Sequence, residues 1–317
     1  MMRLAVVGAG AFGEHHARVL GGMAGVELVA VADPNLERAQ QVAGRFGAQA
    51  VADYRDVIGR VDAATVAVPT VLHVEIAEAL LRGGLDVLVE KPMAADLEGA
   101  DRLVSAARER DRVLAVGHLE RFNPAVEAAS RLARMPLFFE VHRMSPFTPR
   151  SLDVDVVLDL MIHDLDIILS LVESQIKLVQ AVGLPVLTGQ ADIAHVRVEF
   201  ENGCVANLTA SRVSTERIRK LRFFQPRQYV SVDYSRQDAV VFGVGASREI
   251  EMRPLPVERG EPLEREMAGF VESVRKRTAP RVGGEEGRKA LAVALTIRRE
   301  MESHARVVAA TLARHQP

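Results

Sequence analysis

Asp159 and His163 stand four residues apart in the aliphatic run Val154–Val172, and Asp166 follows three residues later. In an α-helix that spacing puts the three side chains on one face, while Asp164 is turned away from His163 by about 100°. An imidazole titrates near neutrality and can take a proton from a hydroxyl, and a carboxylate one turn earlier orients it and stabilises its charged form. The chemistry on offer is proton abstraction. A buried structural Asp–His hydrogen bond is the competing reading. The aliphatic positions between them, Leu158, Met161, Ile162, Leu165 and Ile168 among them, predict a helix that is otherwise buried.

A second group lies near the N-terminus. Gly8-Ala9-Gly10-Ala11-Phe12-Gly13 is a G-x-G-x-x-G that follows an aliphatic run and opens a helical pattern. Glycines there allow a tight turn and let a pyrophosphate approach the backbone at the start of a helix. The next aliphatic run ends in Asp33, 20 residues after Gly13, where a carboxylate binds adenosine ribose hydroxyls. Asp33 also repels a 2′-phosphate, and the nearest arginine after it is Arg38, so NAD is expected rather than NADP. Lys91, in Val89-Glu90-Lys91-Pro92, falls at the carboxyl end of another run, which is the edge where ligands bind in open α/β sheets.

These residues require particular elements. From Arg3 to Gly117 short β-rich runs alternate with helical patterns, which predicts a doubly wound parallel sheet, a Rossmann domain. After Arg121-Phe122-Asn123-Pro124-Ala125 the rhythm changes to a series of strands with few helices between them. The expected fold class is therefore α/β, with an N-terminal Rossmann domain at 1–121 and a C-terminal α+β domain at 122–317 carrying a mainly antiparallel open sheet. Two helices close the chain, and the last is expected to pack back on the first domain.

Composition narrows the function classes. A formal charge of −2 over 317 residues leaves no basic footprint for nucleic acid. The single cysteine, Cys204, excludes an internal disulfide framework and a cysteine-based zinc cage. A metal-dependent hydrolase built on His163-Asp164 needs further ligands at metal spacing, and His118, His142 and His195 form no such pattern; no metal is expected. No apolar run reaches the roughly 18 residues that span a bilayer. Glycines stand where a signal peptide would carry its apolar core, so no membrane contact and a cytoplasmic location are expected.

The stretches VVGAGAFGEHHARVL, Asp33, VPTVLH, ALLRGGLDVLVEKPMA and LDLMIHDLD occur in the order found in the Gfo/Idh/MocA oxidoreductases. The chain resembles that family over essentially its whole length. The resemblance implies NAD(P)-dependent oxidation of CH–OH groups, with Gly8, Gly10, Ala11, Phe12, Gly13, Asp33, Pro69, His73, Glu90 and Lys91 at the cofactor. It implies that Lys91, Asp159 and His163 lie by the reacting carbon as catalytic and substrate-binding residues. The family's usual Thr-Pro-Asn reads Val68-Pro69-Thr70 here, with His73 kept, so the contacts of that Asn are not carried over. Relatives pair through the open sheet, which implies a homodimer or homotetramer.

Gly117–Val126, Phe139–Pro146 and Asp159–Ile167 resemble the nucleotide-sugar branch of the family. That implies a sugar-nucleotide substrate, oxidised at C3 of UDP-N-acetylglucosamine to a 3-keto sugar that an aminotransferase then aminates for lipid A. Arg121, Arg143 and Arg150, with Asn123, are the expected contacts, because a guanidinium clamps a diphosphate bidentately; each arginine taken singly also reads as a solvated surface residue. Two alternatives remain open. A dehydrogenase of a free cyclitol or sugar would not need these arginines, and a non-catalytic NAD-binding regulator would lack the Lys/Asp/His trio.

Overall fold

A computed structural model describes residues 1–148, 154–244 and 249–314. By contacts the chain divides into two units, one of Met1–Leu119 with Glu261–Leu291 and one of Glu120–Gly260 with Ala292–Pro317.

The first unit is built on six strands, β1 (Met2–Val7), β2 (Val26–Ala32), β3 (Gln49–Val51), β4 (Ala63–Val66), β5 (Asp86–Glu90) and β6 (Leu114–Gly117). Helices α1 (Ala11–Gly21), α2 (Leu36–Gly44), α3 (His73–Arg82) and α4 (Leu97–Glu109) connect them. All pairs are parallel and the order is β3-β2-β1-β4-β5-β6. Strands buried on both faces read as continuous aliphatic runs, as in β4, where every residue is buried. The strand order reverses between β1 and β4, the point where such sheets bind ligands at their carboxyl ends. Strand β3, three residues long, has too few positions to show a period. Asn35 caps α2 by accepting the Arg38 N–H at 3.0 Å, and Asp96 caps α4 by accepting the Gly99 N–H at 2.8 Å.

The second unit holds α5 (Pro124–Ser130), β7 (Phe138–Met144), a single π-helical turn (Val157–Met161) running into α6 (Ile162–Leu171), and strands β8 (Ile176–Leu184), β9 (Ile193–Phe200), β10 (Val205–Ser211), β11 (Ile218–Gln225), β12 (Gln228–Asp233), β13 (Asp238–Val244) and β14 (Ile250–Pro254). They form one eight-stranded sheet, β14-β13-β12-β11-β7-β10-β9-β8, antiparallel except for β7 beside β10. Alternation is strict in β7. Phe139, Val141 and Arg143 are buried while Phe138, Glu140, His142 and Met144 face the other way, so one face is core and the other is open.

Helix α7 (Pro262–Lys276) belongs to the first unit, where Met267, Phe270, Val271 and Val274 join the core formed with Leu28, Val31 and Leu88. These four positions are the apolar stripe of an amphipathic helix. Helix α8 (Gly284–Arg314) ends the chain. Among the described residues no helix is long and apolar enough to cross a membrane, and no group of three or more His, Cys, Asp or Glu side chains could hold a metal ion.

Candidate active site

The glycine loop joins β1 to α1, and each glycine has its own physical reason. Gly8 has φ +99°, and a Cβ there would meet the Ala67 carbonyl oxygen at 2.4 Å. A Cβ on Gly13 would fall 1.7 Å from the Gly8 carbonyl oxygen, so only glycine lets α1 start this close to β1. Gly10 is different, because no protein atom lies within 4 Å of a Cβ built there. It is the N-cap of α1, and no side chain caps that helix. The first-turn N–H groups are thus left for an anion outside the protein, and Ala11 and Phe12 flank them, exposed. Asp33 sits at the end of β2, buried, and takes the Ala9 N–H on Oδ2 and the Asn35 N–H on Oδ1, each at 2.8 Å. A carboxylate has about four lone-pair sites, so ribose hydroxyls still find acceptors. The loop, the uncapped helix start and Asp33 fit a dinucleotide.

Lys91 follows β5 and is half-buried, while Pro69 follows β4 and is exposed. His73 and Glu90, expected at the cofactor, also make contacts within the protein. The His73 ring is buried, with Nδ1 2.8 Å from the Pro92 carbonyl and Nε2 2.8 Å from the Val68 carbonyl. Burial pushes its pKa below the ordinary histidine value against the pull of those carbonyls. It lies between the loop after β4 and the loop carrying Lys91. The Glu90 carboxylate turns inward, with Oε1 3.0 Å from His16 Nε2 and Oε2 accepting the Lys91 main-chain N–H at 3.2 Å.

In the second unit, Asp159 lies in the π turn and His163 in the first turn of α6, both half-buried. The expected single α-helix is interrupted here. A π turn adds a residue per turn, rotates the segment before it against the segment after it, and occurs often at functional sites. Asp155 supports the turn by accepting the N–H groups of Val157 at 2.9 Å and Leu158 at 3.1 Å, and its Oδ2 pairs with Arg298 of α8 at 2.6 Å. Asp166, three residues after His163 in α6, is buried and pairs with Arg121 at 3.3 Å.

Two of the expected diphosphate contacts are corrected. Arg143 points into the core side of β7 and is 3% exposed. Its Nε and Nη2 donate to Asp164 at 2.6 and 2.8 Å, and its Nη1 donates to Glu120 at 2.9 Å. Tyr234 adds its hydroxyl to Asp164 at 2.9 Å, with its ring 4.9 Å under the guanidinium. A guanidinium with three donors satisfied in the interior does not clamp a solvent-borne ligand. Asn123 is likewise internal: it caps α5 through the Ala125 N–H at 3.1 Å and donates to Glu120 and to the Tyr234 carbonyl. Arg121 is partly exposed and contacts Asp166. Arg150 lies outside the described residues. Sequence reasoning missed His16, Glu120, Asp164 and Tyr234, of which only Asp164 carried a signal, as a charge in an aliphatic run.

A glycine loop on an uncapped helix, a carboxylate at the end of the next strand and a lysine at the end of β5 define a dinucleotide-binding oxidoreductase. Residues 2–118 match the oxidoreductase family with an NAD-binding Rossmann fold, and residues 126–230 match the C-terminal domain of the same family. The UDP-N-acetylglucosamine 3-dehydrogenase of Acidithiobacillus ferrooxidans is 35% identical over 308 residues, covering 95% of this chain and 98% of that one. A solved structure of that enzyme superposes with a TM-score of 0.90 at 36% identity, covering 95% of this chain and 98% of that one. An inositol 2-dehydrogenase of Acidothermus cellulolyticus is 34% identical over 192 residues, 57% of this chain and 56% of its own length. The chain belongs to the Gfo/Idh/MocA family of oxidoreductases.

Proposed function

We propose that this chain oxidises a secondary hydroxyl of a sugar nucleotide with NAD, and that the substrate is UDP-N-acetylglucosamine, converted at C3 to the 3-keto sugar. The observation that carries this reading is the 35% identity across 95% of the chain to the relative of that name. A C3 ketone is what a transamination requires, so the product feeds 3-amino-sugar synthesis for lipid A or a surface polysaccharide. The dinucleotide supplies the hydride acceptor when bound. The chain's own residues hold the pyrophosphate at the start of α1, hold ribose hydroxyls on Asp33, and take the hydroxyl proton on His163 or Lys91. Incubating the purified chain with NAD and a panel of sugar nucleotides, free sugars and inositol, and following NADH absorbance, tests it. Turnover with UDP-N-acetylglucosamine is expected, whereas turnover only with inositol or glucose would replace it with the free-cyclitol reading.

Asp33 leads to a prediction on cofactor choice. A 2′-phosphate placed against a buried carboxylate loses a hydrogen bond and meets a like charge, so NAD should bind roughly tenfold or more tightly than NADP. Calorimetric titration of the apoprotein with both measures it, and equal or tighter NADP binding would remove that role from Asp33.

The open face of the second unit's sheet leads to another. Phe138, Phe224, Tyr229 and Phe242 form a ladder across it, with ring centroids 5.6, 5.1 and 4.3 Å apart, and Met252 and Ile250 extend it, 66% and 79% exposed. A continuous apolar row on a solvent face marks an association surface, so a homodimer or homotetramer through this sheet is proposed. Sedimentation at micromolar concentration should show a species heavier than 34.6 kDa that Phe242→Lys dissociates. A 34.6 kDa species alone would rule the assembly out.

A further inference from the structure

His16 lies on α1, three residues beyond the last glycine of the loop, and its side chain is fully buried. Its Nε2 is 3.0 Å from Glu90 Oε1, while Glu90 Oε2 accepts the Lys91 N–H at 3.2 Å. The carboxylate is enclosed from the third side by β6. A Cβ on Gly117 would sit 3.0 Å from the Glu90 carboxyl carbon and from both of its oxygens. Burial alone would raise the Glu90 pKa, but contacts with His16 and Lys91 outweigh it and hold the group below the ordinary carboxylate value. Nδ1 of His16 has no hydrogen-bond partner among the described residues. Nε2 is therefore the ring nitrogen that donates, and Glu90 Oε1 accepts.

We propose that His16 is a positioning residue for Lys91, acting through Glu90: it fixes the carboxylate that in turn accepts the lysine's main-chain N–H and whose charge acts on its ammonium. This rests on the reading of Lys91 as a residue of the reaction. Without the imidazole the buried carboxylate loses its donor from α1 and must turn toward Lys91 or take up a proton. Either response changes where the ammonium sits and how readily it gives up its proton. The link also joins the helix that receives the pyrophosphate to the strand that carries Lys91, within one unit.

The test uses the full chain with NAD and UDP-N-acetylglucosamine, comparing His16→Leu, His16→Gln, Glu90→Gln and the His16→Leu/Glu90→Gln double variant, with Lys91→Ala alongside. His16→Leu is expected to lower kcat by roughly tenfold or more with KM and NAD affinity changed less than about twofold. His16→Gln, whose amide still donates, recovers part of the loss, and the double variant is no worse than Glu90→Gln alone, as for two residues acting through one link. In the apoprotein, acetylation of Lys91 by acetic anhydride, read by peptide mass spectrometry against Lys276, should change by roughly threefold or more in His16→Leu. Full kcat and an unchanged Lys91 acetylation rate in His16→Leu, beside an inactive Lys91→Ala, would overturn the positioning role alone. Additive losses in the double variant would reassign His16 to the folding of α1. Full activity in Lys91→Ala would instead remove the lysine reading on which the proposal stands.

Discussion

Lys91→Ala and His163→Ala are each expected to lower kcat by roughly 100-fold or more, with NAD affinity little changed, the usual scale for a positioned acid–base group. The physical reason is common to both. Hydride leaves a secondary alcohol only as its hydroxyl proton finds a base, and an imidazole and an amine are the neutral-pH bases among the residues the family likeness puts at the reaction. Both side chains are partly exposed. Lys91 is half-buried after β5, on a loop that His73 and Glu90 contact, and His163 is half-buried just after the π turn. An equal fall in kcat and kcat/KM would mark interactions made in the transition state alone. Asp159→Asn, which removes charge and keeps shape, should fall between wild type and His163→Ala, since an orienting carboxylate acts through the imidazole. Near-normal kcat in His163→Ala would make the π turn and α6 a structural element and leave Lys91 as the base.

What could be read in advance depended on how local its cause was. The β1–α1 loop follows from the sterics of its glycines, and Asp33 from the length of one βα unit, so both were legible in a short window. In the structure Phe138–Met144 alternates and puts Arg143 on the core face with Phe139 and Val141, whereas the sequence reads Arg143 as a diphosphate contact. The sequence did not tell that a core lay there with two carboxylates in it, because Asp164 and Glu120 are 21 and 23 residues away in the chain. The partners of His73 were hidden for the same reason, since they are main-chain carbonyls of separate loops. The π turn has no compositional mark: the same aliphatic residues satisfy α spacing equally well, and the choice is made by the capping of Asp155 and its pairing with Arg298.

Arg143→Met is expected to destabilise the second unit by about 3–5 kcal/mol, the range for removing one partner of a buried ion pair. Arg143 is 3% exposed and its side-chain partners Asp164 and Glu120 are 1% and 7% exposed, so losing the guanidinium takes the two-pronged partner from Asp164 and leaves Glu120 with the longer 3.6 Å contact to Arg219. Burial alone would lower the arginine's pKa, but the two carboxylates hold it well above the ordinary value, and the same burial with the Asp164 charge keeps the Tyr234 phenol protonated as a donor. Arg143→Lys keeps the charge but not the two-pronged contact with Asp164, and should be destabilised less. Because the chain has two units, a single unfolding midpoint need not be two-state; hydrogen exchange of the β7 and β11 amides reads the second unit directly. The decisive companion is Arg143→Met with Asp164→Leu and Glu120→Gln, which takes away the three most buried charges together and leaves Arg219, 28% exposed, to solvent. A buried ionic cluster replaced as a whole by uncharged groups of similar volume is often neutral in stability, so this triple variant should regain much of what Arg143→Met loses. Recovered stability with normal kcat would show that the cluster serves packing alone; recovered stability with kcat still depressed would show that Asp164, the residue next to His163, holds α6 in the orientation the reaction needs.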